Sequence, residues 1–335
     1  MANPEPGTQE WLDQINEPII DPDRVIVDPH HHLWERTGWG YLLDDLWNDT
    51  NSGHRVEKTV FVECGASYHE TGPEHLRCLG ETEFVTRVAA ASASEPGATI
   101  AGIVARADLT LGDGVEEVLD AHRAIAGDLF KGIRHSGAHA RDPGVLRIAG
   151  RAPADLYAQP DFRRGLQRLG ELGYSYDTWH YHYQNADYAA LARSAPGTVM
   201  VLDHFGTPLG VGIYADQREQ IFAQWKKDIT EIAACPNVLA KLGGLAMPDN
   251  GFGWDTAALP PTSKEFAELQ RRYYLHTIDA FGPERCMFES NFPVDRLSLS
   301  YQVLWNGLKR IAAEFSDSEQ DAMFSGTASR IYRLS

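Results

Sequence analysis

The chain has 335 residues, 43% of them hydrophobic, and a formal net charge of −17. That length suits one large α/β barrel with an extension, and the apolar share is enough for a sizeable core. The acidic balance excludes binding to nucleic acid or an anionic membrane through bulk charge, although a few local arginines can still hold an anionic substrate.

No apolar run reaches the roughly 18 residues of a membrane-spanning helix. The opening MANPEPGTQEW lacks the basic region and apolar core of a secretory signal. The four cysteines, Cys64, Cys78, Cys235 and Cys286, show no C-x-x-C spacing. These features predict a cytosolic protein with reduced thiols, Cys64 and Cys286 being core residues.

In chain order, residues 1–24 read as an N-terminal extension and residues 25–335 as one barrel domain. The first predicted strand, Val25–Asp28, runs into three consecutive histidines within Asp28-x-His30-x-His32-x-Trp34. Strand alternation puts His30 and His32 on one face, about 7 Å apart, with Asp28 one step deeper on that face. Two imidazoles so placed can converge on one ion or one substrate oxygen, and a His-rich hairpin edge is the bland alternative. A short helix is expected around Tyr41–Trp47.

Seven more apolar segments follow: Thr59–Glu63, Ile100–Arg106, Leu129–Ile133, Tyr174–Thr178, Thr198–Asp203, Val238–Leu242 and Arg285–Phe288. Several are rich in Val and Ile without polar alternation, as in strands buried on both faces. Helices are predicted between them over Glu74–Ser92, Gly114–Ile125, Asp161–Leu172, Asp187–Ser194, Ala215–Ala234, Ser263–Phe281 and Leu297–Phe315. Ser316-x-x-Glu319 then reads as a capping box. Eight strands alternating with helices predict a (β/α)8 TIM-type barrel, with a doubly wound sheet as the competitor.

Polar residues gather where these strands end. They are His30 and His32; Glu63 and Tyr68; Arg106; Arg134 and His135; Asp177, Trp179, His180 and His182; Asp203 and His204; Lys241; Glu289, Asn291 and Asp295. A barrel brings such ends around one mouth, which favours it over an open sheet. Arg134 reads either as an ion pair with an acidic loop or as a fork for a substrate oxygen, and Arg106 carries the same two readings. Lys241 on an apolar strand needs an acid such as Glu289 or Glu63, or a function. Alternation turns Asp203 away from His204, toward a structural role. Trp34, Trp39, Trp179, Tyr181, Phe205 and Phe292 near the mouth suggest a substrate that is flat or apolar in part.

The motifs Asp28-x-His30-x-His32, LDHFGTP with His204, AKLGGL with Lys241 and CMFESNFPVD resemble the amidohydrolase superfamily. More narrowly, they resemble its lactone-hydrolase branch, which includes L-fuconolactonase, L-rhamnonolactonase and 2-pyrone-4,6-dicarboxylate hydrolase. The likeness runs to the C-terminal FSGTASRIYRL. It implies a barrel, hydrolysis of a lactone or related ester or amide, and catalytic roles for His30, His32 and His204. It also implies a divalent metal, zinc first, on His30, His32, His204 and a strand-five histidine; some members of the branch work without an ion. His180 and His182 share a face, and spacing does not choose between them. His182 is carried as the metal ligand, and His180, Tyr68, Trp179, Arg106 and Arg134 as substrate contacts.

One departure matters. The strand-eight motif resembles GSDWP in the family, and its Asp falls on Asn291 here. An amide takes no proton from water at neutral pH. Glu289 and Asp295 are the replacement carboxylates, with Asn291 kept in the site. The leading expectation is a lactone hydrolase using the His cluster and a carboxylate base. A decarboxylase or hydratase of an unsaturated or aromatic acid is the second reading, and a non-catalytic small-ligand barrel the third. The implied partner is a small molecule, a lactone or carboxylated cyclic compound, with homodimerisation left open.

Overall fold

The computed structural model describes residues 4–36 and 38–334. Eight parallel strands follow one another around a ring: β1 (Val25–His31), β2 (Arg55–Val62), β3 (Thr99–Ala105), β4 (Phe130–Arg134), β5 (Ser175–Thr178), β6 (Met200–Leu202), β7 (Val238–Leu242) and β8 (Cys286–Phe288). The ring closes just past β8, where Asn291 N donates to His30 O at 2.9 Å and His32 N donates to Phe292 O at 2.8 Å. Sequential order with closure is the (β/α)8 barrel; a doubly wound sheet would reverse its strand order partway.

A helix follows each strand: α1 (Leu43–Thr50), α2 (Leu79–Ser92), α3 (Val115–Ala126), α4 (Pro160–Glu171), α5 (Asn185–Ser194), α6 (Arg218–Ala233), α7 (Ser263–Phe281) and α8 (Tyr301–Ala312). The capping box at Ser316 and Glu319 is present, and a second one, Thr262 with Glu265, opens α7. In α8, Ser300 caps the N-terminus and Leu304, Leu308 and Ile311 repeat at helical spacing toward the sheet. Each such side chain contributes about 1.5–3 kcal/mol when fully buried. The predicted segments Glu74–Ser92, Ala215–Ala234 and Leu297–Phe315 all end as shorter helices. In the first, the Glu74–Leu76 turn is a separate 3₁₀ piece.

Between β1 and α1 the strands Trp34–Arg36 and Trp39–Tyr41 form a small antiparallel hairpin. The N-terminal segment lies against the outside of the barrel. Trp11 Nε1 donates to Ala257 O at 3.0 Å, and Ile20 N donates to Asn306 Oδ1, on α8, at 2.9 Å. No helix among the described residues is long and apolar enough to cross a membrane.

Inside the barrel the lower layer is Val27, Val60, Val62, Val104, Val201, Leu239 and Met287. The C-terminal segment packs into this layer through Ala328 and Tyr332. Above it the interior turns ionic. Lys241 Nζ lies 2.7 Å from Asp177 Oδ2 and 3.4 Å from Asp203 Oδ1, and Tyr332 donates its hydroxyl to Asp177 Oδ2 at 2.5 Å. Lys241 is therefore paired with Asp177, not with Glu289 or Glu63 as the sequence suggested. Asp203 is turned inward as well, contrary to the alternation argument. The backbone leaves extended geometry after Asp203: His204 and Phe205 have φ of 53° and 58°, so neighbouring side chains no longer alternate.

A buried carboxylate needs its donors, because losing one exposes the full desolvation cost. Tyr332→Phe removes a donor to Asp177 and little volume. It should lower unfolding free energy by about 1.5–3 kcal/mol, read from the urea midpoint. An unchanged midpoint would show that Lys241 alone satisfies Asp177.

Candidate active site

The histidines of β1 reach the barrel mouth through a register shift. Ile26 faces the helices and Val27 the barrel interior, and the β1–β2 pairing then slips between Asp28 and His31, around Pro29. Past the slip, His31 bonds Thr59 Oγ1 at 3.0 Å, while His30 and His32 enter the site. Asp28 does not share their face. It accepts from Ser290 N at 2.9 Å and from Tyr301 OH, on α8, at 3.0 Å. The bulge at Asp28–His31 breaks the period of two on which the expected common face rested.

His30, His32 and His204 meet as expected. The ring centroids of His30 lie 4.9 Å from His32 and 4.6 Å from His204. Behind them sits Glu289, fully buried. His204 Nδ1 donates to Glu289 Oε1 at 2.7 Å, and Glu289 Oε2 lies 2.7 Å from His30 Nδ1 without a well-formed hydrogen bond. Two glycines make this approach possible. A Cβ on Gly243 would stand 2.4 Å from Glu289 Cγ, and one on Gly244, whose φ is +73°, 2.3 Å from His204 Nδ1.

The three imidazoles differ in charge. Burial pushes His30 well below the ordinary histidine range, and the positive charge of Lys241 lowers it further. Burial and the Arg134 charge do the same to His32. Burial also opposes a charge on His204, but the Glu289 carboxylate outweighs it and raises the group. His32 Nδ1 lies 2.8 Å from the Val62 carbonyl, which fixes the proton there and leaves Nε2 as an acceptor.

A cleft of about 280 Å³ opens over this cluster. Its polar lining includes His32, Arg36, Glu63, Arg134, His204 and Asn291; Trp34, Trp179, Ile148, Met247 and Val294 give it apolar walls. Arg134 spends most of its fork internally. Nε donates to Glu63 Oε1 at 2.8 Å, Nη2 donates to the Glu63 carbonyl, and Nη1 meets His30 Nε2 at 3.3 Å. Asn291 is in the lining, in the left-handed region at φ 57°, and donates Nδ2 to Asp295 Oδ1 at 2.8 Å. Asp295 is buried behind it, also accepts from Ala246 N at 3.1 Å, and is pushed up to about 7 by burial.

The other expected contacts lie elsewhere. His180 is enclosed by Tyr157, Tyr188 and Asn185, its Nε2 2.9 Å from Asn185 Oδ1. His182 accepts from Leu209 N at 3.2 Å and packs on Tyr183 and Tyr214. Arg106 donates to Ala107 O at 2.5 Å, and Tyr68 is half-exposed on the loop after β2. None of these four lines the cleft, whereas Trp179 does. The sequence reading did not single out Arg36, Gly243 or Gly244. The Gly-Gly pair in AKLGGL was the available signal for the last two.

His30, His204 and Glu289 each offer an atom within 4.8 Å of the others, a separation one cation can span. Among the described residues, Oε2 of Glu289 is buried without a hydrogen-bond donor, whereas the Asp203 oxygens face Lys241 Nζ at 3.4 Å and Arg134 Nη1 at 3.7 Å. A divalent cation fits this donor set, because it would satisfy the one Glu289 oxygen the protein leaves bare.

Comparison with known proteins places the chain among relatives of the same fold. A family profile described as Amidohydrolase matches residues 27–334. The protein y4mH of Sinorhizobium fredii is 30% identical over 334 residues, covering 93% of this chain and 99% of its own. L-fucono-1,5-lactonase of Burkholderia multivorans is 29% identical over 322 residues, covering 92% and 96%. A Burkholderia multivorans amidohydrolase crystallised with bound zinc superimposes with a TM-score of 0.72 at 25% identity, covering 93% of this chain and all of that one.

Two expectations follow from the packing. Gly244→Ala should destabilise the fold by about 1–3 kcal/mol through its backbone conformation alone, and by more through the clash with His204. Gly253→Ala is the control, with φ +74° and nothing within 4 Å of the added Cβ. Equal losses in the two variants would show that His204 moves aside freely. The second concerns Glu81 on α2, whose Oε1 accepts from Ala66 N at 2.7 Å and Cys64 N at 3.1 Å. Burial and then the Glu63 charge push it up to about 8. A carboxyl raised in the folded state favours folding below its unfolded value of about 4.3, and that contribution is lost as pH climbs through about 8. Glu81→Gln should therefore flatten the fall in melting temperature between pH 5 and 9. Parallel profiles for wild type and variant would remove Glu81 from the account.

The chain belongs to the amidohydrolase family.

Proposed function

We propose that this amidohydrolase opens a lactone ring by adding water to the ester carbonyl, with His204 as general base. The observation that carries the reading is His204 in the lining of the cleft, with its Nδ1 tied to the buried carboxylate of Glu289 behind it. This leaves Nε2 for the reacting water, and the carboxylate both orients the ring and raises its basicity. Glu289 is buried behind the imidazole, so it acts on the water through His204. In that arrangement Asn291 is not needed as a base. Its Nδ2 is engaged with Asp295, and its carbonyl oxygen serves as an acceptor for a substrate hydroxyl.

The step balances within the protein. His204 Nε2 takes a proton as the water oxygen bonds to the carbonyl carbon, and His32 Nε2 accepts the other hydrogen bond of that water. N–H groups of Arg134 left over from Glu63 and His30 face the carbonyl oxygen as it gains charge. When the ring C–O bond breaks, His204 returns the proton to the departing alkoxide. The product is a hydroxy acid. The similarity to a lactonase supports this substrate class, and the zinc of the similar Burkholderia structure supports a cation that His30 and Oε2 of Glu289 would hold, leaving the Nδ1 proton of His204 on Oε1 and its Nε2 free. Such an ion, when bound, polarises a carbonyl and acidifies water.

Glu289→Gln turns the acceptor for His204 into a donor, fixing the wrong tautomer. The expected result is a fall in kcat of about 10³–10⁴ with KM little changed, measured on a panel of sugar lactones after melting temperatures confirm folding. Hydroxybenzoic acids belong on the same panel. Release of CO2 from them, with no lactone turned over, would overturn the hydrolase reading.

A further inference from the structure

Arg36 stands apart from the other charged side chains around the cleft. Glu63 is consumed by Arg134, while Arg36 makes no ion pair among the described residues. It is nonetheless held in place. Its guanidinium lies 4.4 Å over the Trp34 ring, and Nη2 donates to the Cys64 carbonyl at 3.0 Å. Trp34 is in turn stacked on His32, with centroids 5.8 Å apart and planes 23° from parallel. Trp39 also packs on Trp34, edge-on at 4.8 Å. A chain of contacts through Trp34 thus leads from a histidine of the reacting centre to a cation at the rim.

A guanidinium so restrained has lost much of its rotamer freedom before any ligand arrives. Nε and Nη1 keep their N–H groups without a protein partner among the described residues. Stacking on an aromatic ring leaves the edge of the fork free to meet two oxygens in its own plane. Arg36 is itself exposed at the rim, and the cleft below it is apolar on the sides of Trp34, Ile148, Met247 and Val294.

We infer that Arg36 is an anion subsite that selects lactones carrying a carboxylate on the part of the ring remote from the scissile carbonyl. This rests on the lactone-hydrolase reading for its reaction, though not for its binding step. With the carbonyl over His32 and His204, a ring lying in the cleft past this chain of contacts brings its far substituent to the free edge of the guanidinium. The ring-opened product then carries two carboxylates, one at each end of that chain.

The test is a matched pair of substrates: a six-membered sugar lactone, and the same ring bearing a carboxylate on its exocyclic carbon. Wild type should favour the charged lactone in kcat/KM by about tenfold or more. Arg36→Gln should reduce that ratio by about ten- to hundredfold, and Arg36→Lys should restore only part of it. Equal kcat/KM for the two lactones in wild type, or a preference that survives Arg36→Gln, overturns the subsite and leaves the lactonase intact. If neither lactone is turned over, the reaction assignment fails on its own. Calorimetric binding of the ring-opened dicarboxylate to wild type and Arg36→Gln then decides. Affinity at least tenfold weaker in the variant upholds the subsite, and equal affinities remove it.

Discussion

A carboxylate with no exposure to water, set between two imidazoles from strands on either side of its own, organises this molecule. Glu289 rises from the end of β8 and meets His204 from the end of β6 and His30 from β1. An isolated buried carboxylate would cost several kcal/mol, so Glu289 is tenable only where donors converge. The barrel supplies that convergence, because eight parallel strands deliver their ends to a common mouth. The close approach also requires that two residues without side chains follow β7. Gly243 and Gly244 are in this sense part of the charge pair.

The ionic layer below the site is built from the same logic. Asp177, Asp203 and Glu289 are balanced by Lys241 and Arg134, all within the barrel. Tyr332 enters this layer from the opposite end of the molecule, carried by the last turn of the chain. The interior therefore changes from valine to charge within one layer, and the C-terminal segment seals the valine end. Support for the mouth comes from both ends of the sequence, which places β1 and Tyr332 in one network although about three hundred residues separate them. Burial keeps the network specific: each of its charges has few partners, and those partners are fixed by strand position.

The fold was legible because its signal is repetitive. Eight apolar segments alternating with amphipathic ones leave few alternatives, and the polar strand ends reduce those to one. The histidine cluster was legible for the same reason, since His30, His32 and His204 all sit at strand ends. What the sequence did not show is what breaks the period of two. The bulge around Pro29 leaves Asp28 on the helix side and turns His30 and His32 inward, and the left-handed residues after Asp203 bring two adjacent side chains into one site. Alternation arguments hold inside a strand and lose force at its last residue, which is where barrel chemistry lies. The expected roles of His180 and His182 rested on a shared face in a segment that leaves the strand at Thr178.

Arg36 illustrates a different limit. Nothing in WERTGWGY distinguishes a surface arginine from a ligand-binding one, because the distinction lies in what surrounds it. Arg134 carried the stronger sequence signal, at the end of a barrel strand, yet Glu63 and His30 absorb most of its fork. An arginine at a strand end is positioned to be neutralised by its neighbours, since every adjoining strand also ends in a polar residue. An arginine on the hairpin above the mouth has an aromatic ring beneath it and solvent beyond it, so its charge remains available. In a barrel of this kind the strand ends provide the reacting groups. Selectivity then falls to the loops, where a charge can stay unpaired without the desolvation cost that burial would impose.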